Sequence, residues 1–529
     1  MPHRFARALR WAILHGISLW VAFAVTPHLA AQSSVATKKL SSLRTQLDRR
    51  LSQLWDTETI PKRAFAGVVV LDAETGQTLF ERNGSMLFTP ASNAKLFSTA
   101  LALSRLGPSH QMSTAIFANG SLSADTDILS GDLVLRGGGD PSVGSRHFPY
   151  SRETKNLRDY PLPAFESLAD QVFAHGIRRI RGNVVGDDSA YQWEPFREGW
   201  AQDDALYDYG APVSALTVND NSLELTITPG KKPGMPAGIV IRPSMPYYDI
   251  LNEIRTVSSN AGRVEWERTP NGELILRGDL AAGGRPTRIE VAIDDPALYA
   301  ARYLRDALVR RGIAVEGTAL AQHRWEEESQ PGIASGFPQG PAALAEAAAL
   351  ATHDSPPLEV ILRTVNKESM NLFAELLLCE VGRAKTGAGS REAGLLELRR
   401  LLKEFRVPSE GVALFDASGL ARLNLVSPAA TAQLLSAMWQ GPYRAQWIDS
   451  LPVGGEDGTL EHRFGGSPRA TAIHAKTGTL RGVGALSGYA TTVSGRVLVF
   501  SAMVNNHAGS SRIARDFLDK IALELVESN

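Results

Sequence analysis

The amino-acid sequence predicts an α+β fold, in which an antiparallel five-stranded sheet is flanked by helices and interrupted by a large β-rich inserted region. Two strand-like segments occur early in the chain and three occur near its end, and helical segments accompany both groups. Between them, residues 111–340 consist largely of short alternating apolar and polar runs, the pattern of half-buried strands. Strands that are distant in sequence can complete one sheet when helices cover its faces.

The early segment contains two of these strands and a helix. Residues 63–84 predict two strands around a tight Thr75-Gly76 turn. Residues 91–107 then place apolar side chains at helical spacing and end at Gly107, a typical helix stop. We therefore expect a hairpin that is followed directly by a helix.

The inserted region carries a hairpin signal and one amphipathic helix. Asn271-Gly272, within "RVEWERTPNGELILRGDL", is the strongest short hairpin signal, and residues 296–312 show helical periodicity. After residue 356 helical runs return, and three strand-like runs and a final helix close the chain. The predicted units are a discontinuous domain of residues 32–110 and 341–529, an inserted region of one or two subdomains at 111–340, and a return linker at 330–341.

The first 31 residues predict a signal peptide. Arg4, Arg7 and Arg10 precede an apolar run of 15 residues, which is too short to cross a membrane comfortably. We expect an exported protein of the periplasm or cell envelope, with at most peripheral membrane contact. The alternative is an uncleaved N-terminal anchor.

Composition limits the possible partners. With 43% apolar and 21% charged residues, the chain has the composition of a soluble globular protein. Its net charge of −1 argues against nucleic acid, which favours strongly basic domains. Cys379 is the only cysteine and lies in an apolar run, so we expect a buried thiol and no intrachain disulfide. Neither an H-E-x-x-H segment nor a Cys/His cluster is present, and we expect no metal and no other cofactor.

One serine–lysine pair has the spacing of a nucleophile and its base. Ser92 precedes Lys95 by three positions, and no other lysine has a serine at that position. Ser92 stands where a loop becomes a helix, so its hydroxyl and free helix N–H groups face the same space. A lysine acts as a base only when neutral, and burial or a second cation lowers its pKa. The alternative is a helix-capping serine beside an exposed lysine.

Two further motifs complete a candidate site. Ser369 and Asn371 form an S-x-N motif at the start of an apolar helical run, where Ser369 alone would also suit a helix cap. Lys-Thr-Gly occurs at Lys385 and again at Lys476. The helix that starts near Ser369 is predicted to end near Arg383, which places Lys385 about 20 Å away at the wrong end. Lys476 lies in a strand-like run that can flank a ligand, so we select Lys476-Thr477-Gly478.

These three motifs, in this order, resemble those of the penicillin-binding protein and serine β-lactamase superfamily. Ser369 follows Ser92 by 277 positions, and this long separation is similar to that of the D-alanyl-D-alanine carboxypeptidase/endopeptidase family, the class C low-molecular-mass penicillin-binding proteins (peptidase family S13). The resemblance implies a serine β-lactamase/transpeptidase-like domain. Further similar stretches are "GGGDPS" (137–142), "GDDSAY" (186–191), "YGAPVSALTVNDNSL" (209–223) and "DASGLARLN" (416–424).

The resemblance also implies catalytic roles. Ser92 would attack the carbonyl between two D-alanines, with Lys95 as the general base. Ser369 and Lys476 would relay a proton to the leaving amine, and Asn371 would hold the substrate amide. The product would be an acyl-enzyme, which water then hydrolyses.

Substrate contacts are implied in the same way. The N–H groups of Ser92 and Thr479 would form the oxyanion hole. Thr477 would face the terminal carboxylate of the substrate, and Gly478 would permit the close approach of another backbone. Asp140 and Arg422 match residues that read a zwitterionic diaminopimelate end.

The implied partners are peptidoglycan stem peptides, with β-lactam antibiotics as inhibitors. Two positions depart from the family pattern: Met370 stands where a polar residue is common, and Arg481 stands where the family often carries an uncharged polar residue. A β-lactamase, or a non-catalytic protein that binds peptidoglycan and senses β-lactams, is the alternative. The oligomeric state, and the preference between carboxypeptidase and endopeptidase activity, are left open.

Overall fold

The computed structural model describes residues 40–123, 125–259, 262–325, 348–387 and 389–529. The predicted signal peptide and the predicted return linker lie outside these residues. Within the described part of the chain, no helix is both long and apolar enough to cross a membrane.

The chain alternates between strand-rich and helix-rich segments. The strands are β1 (Phe65–Asp72), β2 (Thr78–Arg82), β3 (Ser113–Ser123), β4 (Ile128–Arg136), β5 (Arg179–Ile180), β6 (Val184–Gln192), β7 (Ser222–Thr228), β8 (Gly238–Arg242), β9 (Asp249–Val257), β10 (Glu265–Arg268), β11 (Glu273–Ala281), β12 (Thr287–Ala292), β13 (Ala314–Val315), β14 (Ala319–Arg324), β15 (Ala351–Asp354), β16 (Val412–Ala413), β17 (Leu425–Val426), β18 (Ile473–Leu480), β19 (Val483–Thr491) and β20 (Val497–Asn505). The helices are α1 (40–57), α2 (Ile60–Arg63), α3 (Ala94–Leu106), α4 (Pro163–Ala174), α5 (Pro296–Arg310), α6 (Leu358–Lys367), α7 (Asn371–Thr386), α8 (Arg391–Glu404), α9 (Pro428–Gln440), α10 (Arg444–Ser450) and α11 (Ser511–Val526).

One five-stranded antiparallel sheet joins the two ends of the chain. Its order is β18-β19-β20-β1-β2, so two strands from before the inserted region pair with three from after it. Side chains on one face, such as Val69 and Val499, pack with α3, α7 and α9, and those on the other, such as Val70 and Phe500, pack with α1 and α11. Because both faces are covered, the three inner strands, β19, β20 and β1, are buried almost throughout. The predicted α+β class and central sheet are confirmed.

The helical run after residue 356 is interrupted close to the S-x-N motif. Helix α6 ends at Lys367 and α7 begins at Asn371, and between them Ser369 has a φ of 64°. The prediction that Lys385 follows the helix is wrong, because α7 extends through Thr386. Gly387, with a φ of 77°, provides the left-handed cap that ends the helix.

The inserted region has its own sheets and its own apolar core. A seven-stranded sheet (β13-β5-β4-β3-β15, with β6 beside β4 and β14 beside β6) and two three-stranded sheets (β12-β7-β8 and β10-β11-β9) share this core with α4 and α5. The predicted hairpin joins β10 to β11 in antiparallel register, with Gly272 at a φ of 82°. Strand β15 lies beyond residue 340 and nevertheless pairs with β3 of the inserted region. The proposed domain boundaries stay a prediction.

Candidate active site

The structure places Ser92 in a tight turn at the edge of the central sheet. A 3₁₀ turn, Ala91–Asn93, leads directly into α3, and Asn93 donates a 2.9 Å hydrogen bond to the Lys476 carbonyl of β18. The N-cap position of α3 belongs to Asn93, so Ser92 is not the capping residue. The Ser92 hydroxyl is therefore available to an adjoining cavity of about 290 Å³. The residues that line it are Ser92, Ser369, Thr459, Arg463, Thr477, Thr479 and Arg515.

Lys95 is the second residue of α3 and is fully buried. Its Nζ donates to Asn371 Oδ1 at 2.5 Å and to the Ser418 carbonyl at 2.7 Å, and it lies 3.1 Å from Ser92 Oγ. The structure therefore contradicts the alternative interpretation, in which Lys95 is exposed to solvent. These contacts direct the amine at the Ser92 hydroxyl.

Burial lowers the pKa of Lys95 to about 7, while the nearby carboxylates of Asp416 and Glu375 act in the opposite direction. An amine with this pKa is substantially neutral at neutral pH and can accept a proton. The two carboxylates limit the shift, because a buried lysine without them would lose its proton more readily still. The opposing effects of burial and of the two carboxylates thus give Lys95 a pKa near neutral pH, which suits a general base.

A second serine–lysine pair faces the same cavity. Lys476 is fully buried on β18, and its Nζ donates to Ser369 Oγ at 2.8 Å and to the Thr477 carbonyl at 3.1 Å. Burial, together with the charge of nearby Lys95, holds the pKa of Lys476 well below its ordinary value. Ser369 is not the N-cap of α7, since Met370 occupies that position. Its hydroxyl is instead directed at Lys476.

Asn371 joins the first pair to the inserted region. While its Oδ1 accepts from Lys95, its Nδ2 donates to the Tyr209 carbonyl at 2.8 Å. These two contacts assign the orientation of the Asn371 amide. A loop of the inserted region therefore contacts the S-x-N motif directly.

Gly478 allows the strand with Lys476 to pass close to the Ser92 turn. A Cβ at this position would lie 2.6 Å from the Pro90 carbonyl oxygen and 3.2 Å from the Asn93 nitrogen. Next to it, Thr477 Oγ1 donates to Thr459 Oγ1 at 2.8 Å. The close approach brings the Thr477 and Thr479 side chains to the cavity that Ser92 lines.

The second Lys-Thr-Gly copy lies elsewhere. Lys385 is exposed in the last turn of α7, whereas Ser369 and Asn371 are at the beginning of that helix. Lys385 does not line the cavity that contains Ser92.

The two residues expected to read the substrate's charged end have different environments. Arg422 is exposed, and its Nη1 donates to the Arg481 carbonyl at 3.3 Å, just after β18. Asp140 is fully buried and does not line the cavity. Its Oδ1 accepts from Ser142, and its Oδ2 lies 3.6 Å from His353 Nε2. Burial raises the pKa of Asp140 to about 7.

The sequence analysis did not identify Glu375, a buried carboxylate that acts electrostatically on the pKa of Lys95. Glu375 Oε1 accepts from the N–H groups of Ala417 and Ser418, and Oε2 accepts from Arg197 at 3.2 Å. Burial raises the pKa of Glu375, although Arg197 opposes this effect. An acidic residue within the apolar run "LFAELLLCEV", one turn after Asn371, is the signal that could have identified it.

The single cysteine belongs to the same buried cluster. Cys379 is buried in α7, as predicted, and its Sγ lies 3.1 Å from Arg197 Nη2. Burial raises the pKa of the Cys379 thiol to about 11. The thiol is therefore protonated at neutral pH and packs as a core residue.

The model of the D-Ala-D-Ala carboxypeptidase 3 (S13) family matches residues 45–525. The chain belongs to this family. It is 32% identical over 515 residues to the D-alanyl-D-alanine carboxypeptidase of Actinomadura sp. (strain R39), which covers 95% of this chain and 87% of the relative. The protein is therefore a D-Ala-D-Ala carboxypeptidase of the penicillin-binding type, a serine hydrolase.

Solved structures support the fold of this S13 carboxypeptidase. The crystal structure of penicillin binding protein 4 (dacB) from Haemophilus influenzae superposes with a TM-score of 0.74 at 24% identity, covering 89% of this chain and 97% of that one. The same protein in complex with a novel β-lactam gives a TM-score of 0.70 at 23% identity, covering 90% and 98%. At these identities the likeness concerns the fold alone.

Proposed function

We propose that this carboxypeptidase cleaves the terminal D-Ala-D-Ala bond of peptidoglycan stem peptides through an acyl-enzyme on Ser92. One observation carries the proposal: two buried lysines, both with lowered pKa values, each lie within hydrogen-bond distance of the hydroxyl of a serine that lines the same cavity. Neutral lysines beside serine hydroxyls suit nucleophilic acyl transfer.

In the first half-reaction, Ser92 Oγ attacks the carbonyl carbon between the two D-alanines. Its proton passes to Lys95 Nζ, 3.1 Å away. The N–H groups of Ser92 and Thr479 stabilise the charge that develops on the carbonyl oxygen. Ser369 donates its proton to the leaving nitrogen, and the proton that Lys95 took from Ser92 is passed back to Ser369 through Lys476, which lies 2.8 Å from Ser369, so that both lysines return to their neutral state. Terminal D-alanine leaves as a neutral amine, and its acyl partner stays bound to Ser92 as an ester.

In the second half-reaction, water attacks this ester. Lys95 accepts a proton from the water, and a proton returns to Ser92 Oγ as the C–O bond breaks. The same groups therefore serve both steps. The second product is the shortened peptide, with a free carboxylate.

Polar and cationic groups around the cavity suit a substrate with a terminal carboxylate. Lys476 and Thr477 face this group in our proposal, and Arg463 and Arg515 also line the cavity. Arg422, exposed beyond the end of β18, suits an anionic group further along the stem. A similar role for Asp140 requires its buried carboxylate to become accessible.

The same chemistry extends to two other substrates. Cleavage of D-Ala-diaminopimelate cross-links would make the enzyme an endopeptidase as well, since only the leaving amine differs. A β-lactam ring presents a strained amide to Ser92, and acylation without rapid hydrolysis would make it an inhibitor. We infer an exported enzyme of the periplasm or cell envelope, where peptidoglycan is found.

Mass spectrometry of the intact protein after incubation with benzylpenicillin tests this proposal. Wild type and Lys385→Ala are expected to gain one acyl adduct, and Ser92→Ala is expected to gain none. Release of D-alanine from a peptide that ends in D-Ala-D-Ala should follow the same pattern. An adduct without D-alanine release would favour the β-lactam-sensing alternative, and rapid loss of the adduct with penicillin turnover would favour a β-lactamase. An unmodified wild type would overturn the proposal.

A further inference from the structure

The turn that carries Ser369 has a backbone conformation that must be held in place. Ser369 has a φ of 64°, the left-handed region that residues with a Cβ avoid. Such a conformation is unfavourable and persists only where the surroundings enforce it. Because Ser369 donates the proton in our proposal, whatever holds this turn also places its hydroxyl.

A lysine holds the turn from its α6 side. Lys367 is buried, and its Nζ donates to the Leu451 carbonyl at 2.9 Å and to Asp457 Oδ2 at 2.6 Å. These contacts secure the end of α6 to the loop that follows α10. These contacts restrain Lys367 itself, two positions before Ser369, and do not involve the residues next to Ser369.

An arginine from the inserted region holds the turn at the two adjoining residues. Arg146 Nη1 donates to Glu368 Oε2 at 2.5 Å, and its Nη2 lies 3.6 Å from Met370 Sδ. The other edge of the guanidinium donates to Asp220 Oδ2 at 2.7 and 3.2 Å. Only 8% of the Arg146 side chain is exposed, so water competes little for these contacts.

Neighbouring contacts restrict Arg146 itself. Its guanidinium carbon lies 6.0 Å from the centre of the Phe373 ring, within α7. Asp220, which accepts two of its hydrogen bonds, also belongs to the inserted region. A planar guanidinium can contact both carboxylates at fixed angles, which a lysine ammonium cannot reproduce.

We propose that Arg146 is a positioning residue for proton transfer by Ser369. It contacts the residues on both sides of Ser369 and so fixes the hydroxyl toward Lys476 and the leaving nitrogen. The inserted region thereby takes part in catalysis on the central sheet. This inference rests on the proposed function of Ser369.

The leaving group provides a selective test. An amide nitrogen must gain a proton as its C–N bond breaks, because an amine anion does not leave at neutral pH. A thiol has an ordinary pKa of about 8.5, so a thioester expels thiolate without needing a proton donor. Loss of a group that positions Ser369 should slow amide cleavage much more than thioester cleavage. A general loss of folding or of Ser92 reactivity would slow both alike.

The experiment compares kcat/KM for a D-Ala-D-Ala peptide and for its thioester analogue, in wild type, Arg146→Met and Glu368→Gln. We expect Arg146→Met to lower the amide value about 100-fold and the thioester value by less than about tenfold. Glu368→Gln removes one of the charges that Arg146 contacts and should shift the ratio in the same direction. The matched control is Arg152→Met, an exposed arginine of the same segment that pairs with Glu461, and it should leave both values within about twofold of wild type.

Other outcomes separate the two proposals. An unchanged amide-to-thioester ratio in Arg146→Met, with wild type active on both substrates, overturns the positioning role. A wild type that cleaves the thioester but not the amide contradicts the proposed function and leaves the acylation of Ser92 standing. Should Arg146→Met fail to fold, as judged by its melting curve, Glu368→Gln decides the question by the same ratio.

Discussion

Lys95 Nζ lies 3.1 Å from Ser92 Oγ, within hydrogen-bond distance, and is fully buried. Burial favours the neutral amine, and the hydrogen bond aims that amine at the hydroxyl it would deprotonate. The same burial would be costly in a purely structural lysine, because a buried charge must be paired. Burial of Lys95 therefore has two effects: it is unfavourable for the charged side chain in the fold, and it makes the neutral amine available to activate Ser92.

Acylation of Ser92 should depend on pH through Lys95. Because its pKa is lowered to about 7, the neutral, proton-accepting form increases as the pH rises through that value. The second-order rate constant for acylation by benzylpenicillin should therefore rise with pH, with a midpoint near pH 7. Stopped-flow or quenched mass spectrometry between about pH 5 and pH 9 would measure the profile.

A variant that cannot deprotonate provides the control for this profile. An arginine is protonated at every accessible pH, so Lys95→Arg should show little acylation across the whole range. A wild-type rate that still rises tenfold per pH unit up to about pH 9, as the ordinary lysine pKa of about 10.4 would require, would contradict the assignment of Lys95 as a neutral base.

The central sheet and the serines and lysines of the three motifs could be predicted from the sequence. Strand periodicity is local, and the order of β1, β2 and β18–β20 in the chain left few ways to complete a sheet. The S-x-x-K spacing is also local, because a separation of three positions is close to one helical turn. Both kinds of prediction depend on neighbours in sequence.

The features that the sequence did not predict depend on contacts between residues that are far apart in the chain. Arg146 and Glu368 are separated by 222 positions, and no local pattern pairs them. The predicted end of α7 near Arg383 is too early, because Gly382, a residue type that often ends helices, is buried inside the helix here. The burial of Asp140 likewise follows from how the inserted region packs, which "GGGDPS" alone does not specify.

The two Lys-Thr-Gly copies offer a matched pair of glycine substitutions. Gly478→Ala would place a methyl group 2.6 Å from the Pro90 carbonyl oxygen, and relieving that contact must move β18 away from the Ser92 turn. We expect a loss of about 1–3 kcal/mol in stability and at least a tenfold slower acylation. Gly387→Ala meets no atom within 4 Å, and only its φ of 77° opposes it.

Gly387→Ala should therefore cost about 1–2 kcal/mol through backbone strain and leave acylation unchanged. Melting temperature and the rate of acylation by benzylpenicillin, measured on both variants, separate the two effects. Equal acylation rates in both variants would show that the spacing between β18 and the Ser92 turn is unimportant for catalysis.

Stability should depend on pH at a histidine of the inserted region. His323 Nδ1 lies 3.0 Å from Asp188 Oδ1, its Nε2 lies 3.4 Å from Asp295 Oδ2, and its ring stacks on Trp193. Burial lowers the pKa of His323, but the two carboxylates outweigh burial and raise it to about 9. Because the pKa in the folded chain exceeds the unfolded value of about 6.5, the protonated form stabilises the fold. This contribution is complete below about pH 6.5 and is lost as the pH rises through about 9.

Replacing His323 with glutamine should therefore lower the melting temperature more at about pH 6 than at about pH 10. The melting temperatures of wild type and His323→Gln, measured at both pH values, give the two differences directly. His462→Gln is the control, because its side chain is 87% exposed and its contact with Glu461 spans 4.0 Å, so its effect should be small at both pH values. A His323→Gln effect of the same size at both pH values would mean that the histidine stabilises the fold by stacking on Trp193 and not by its charge.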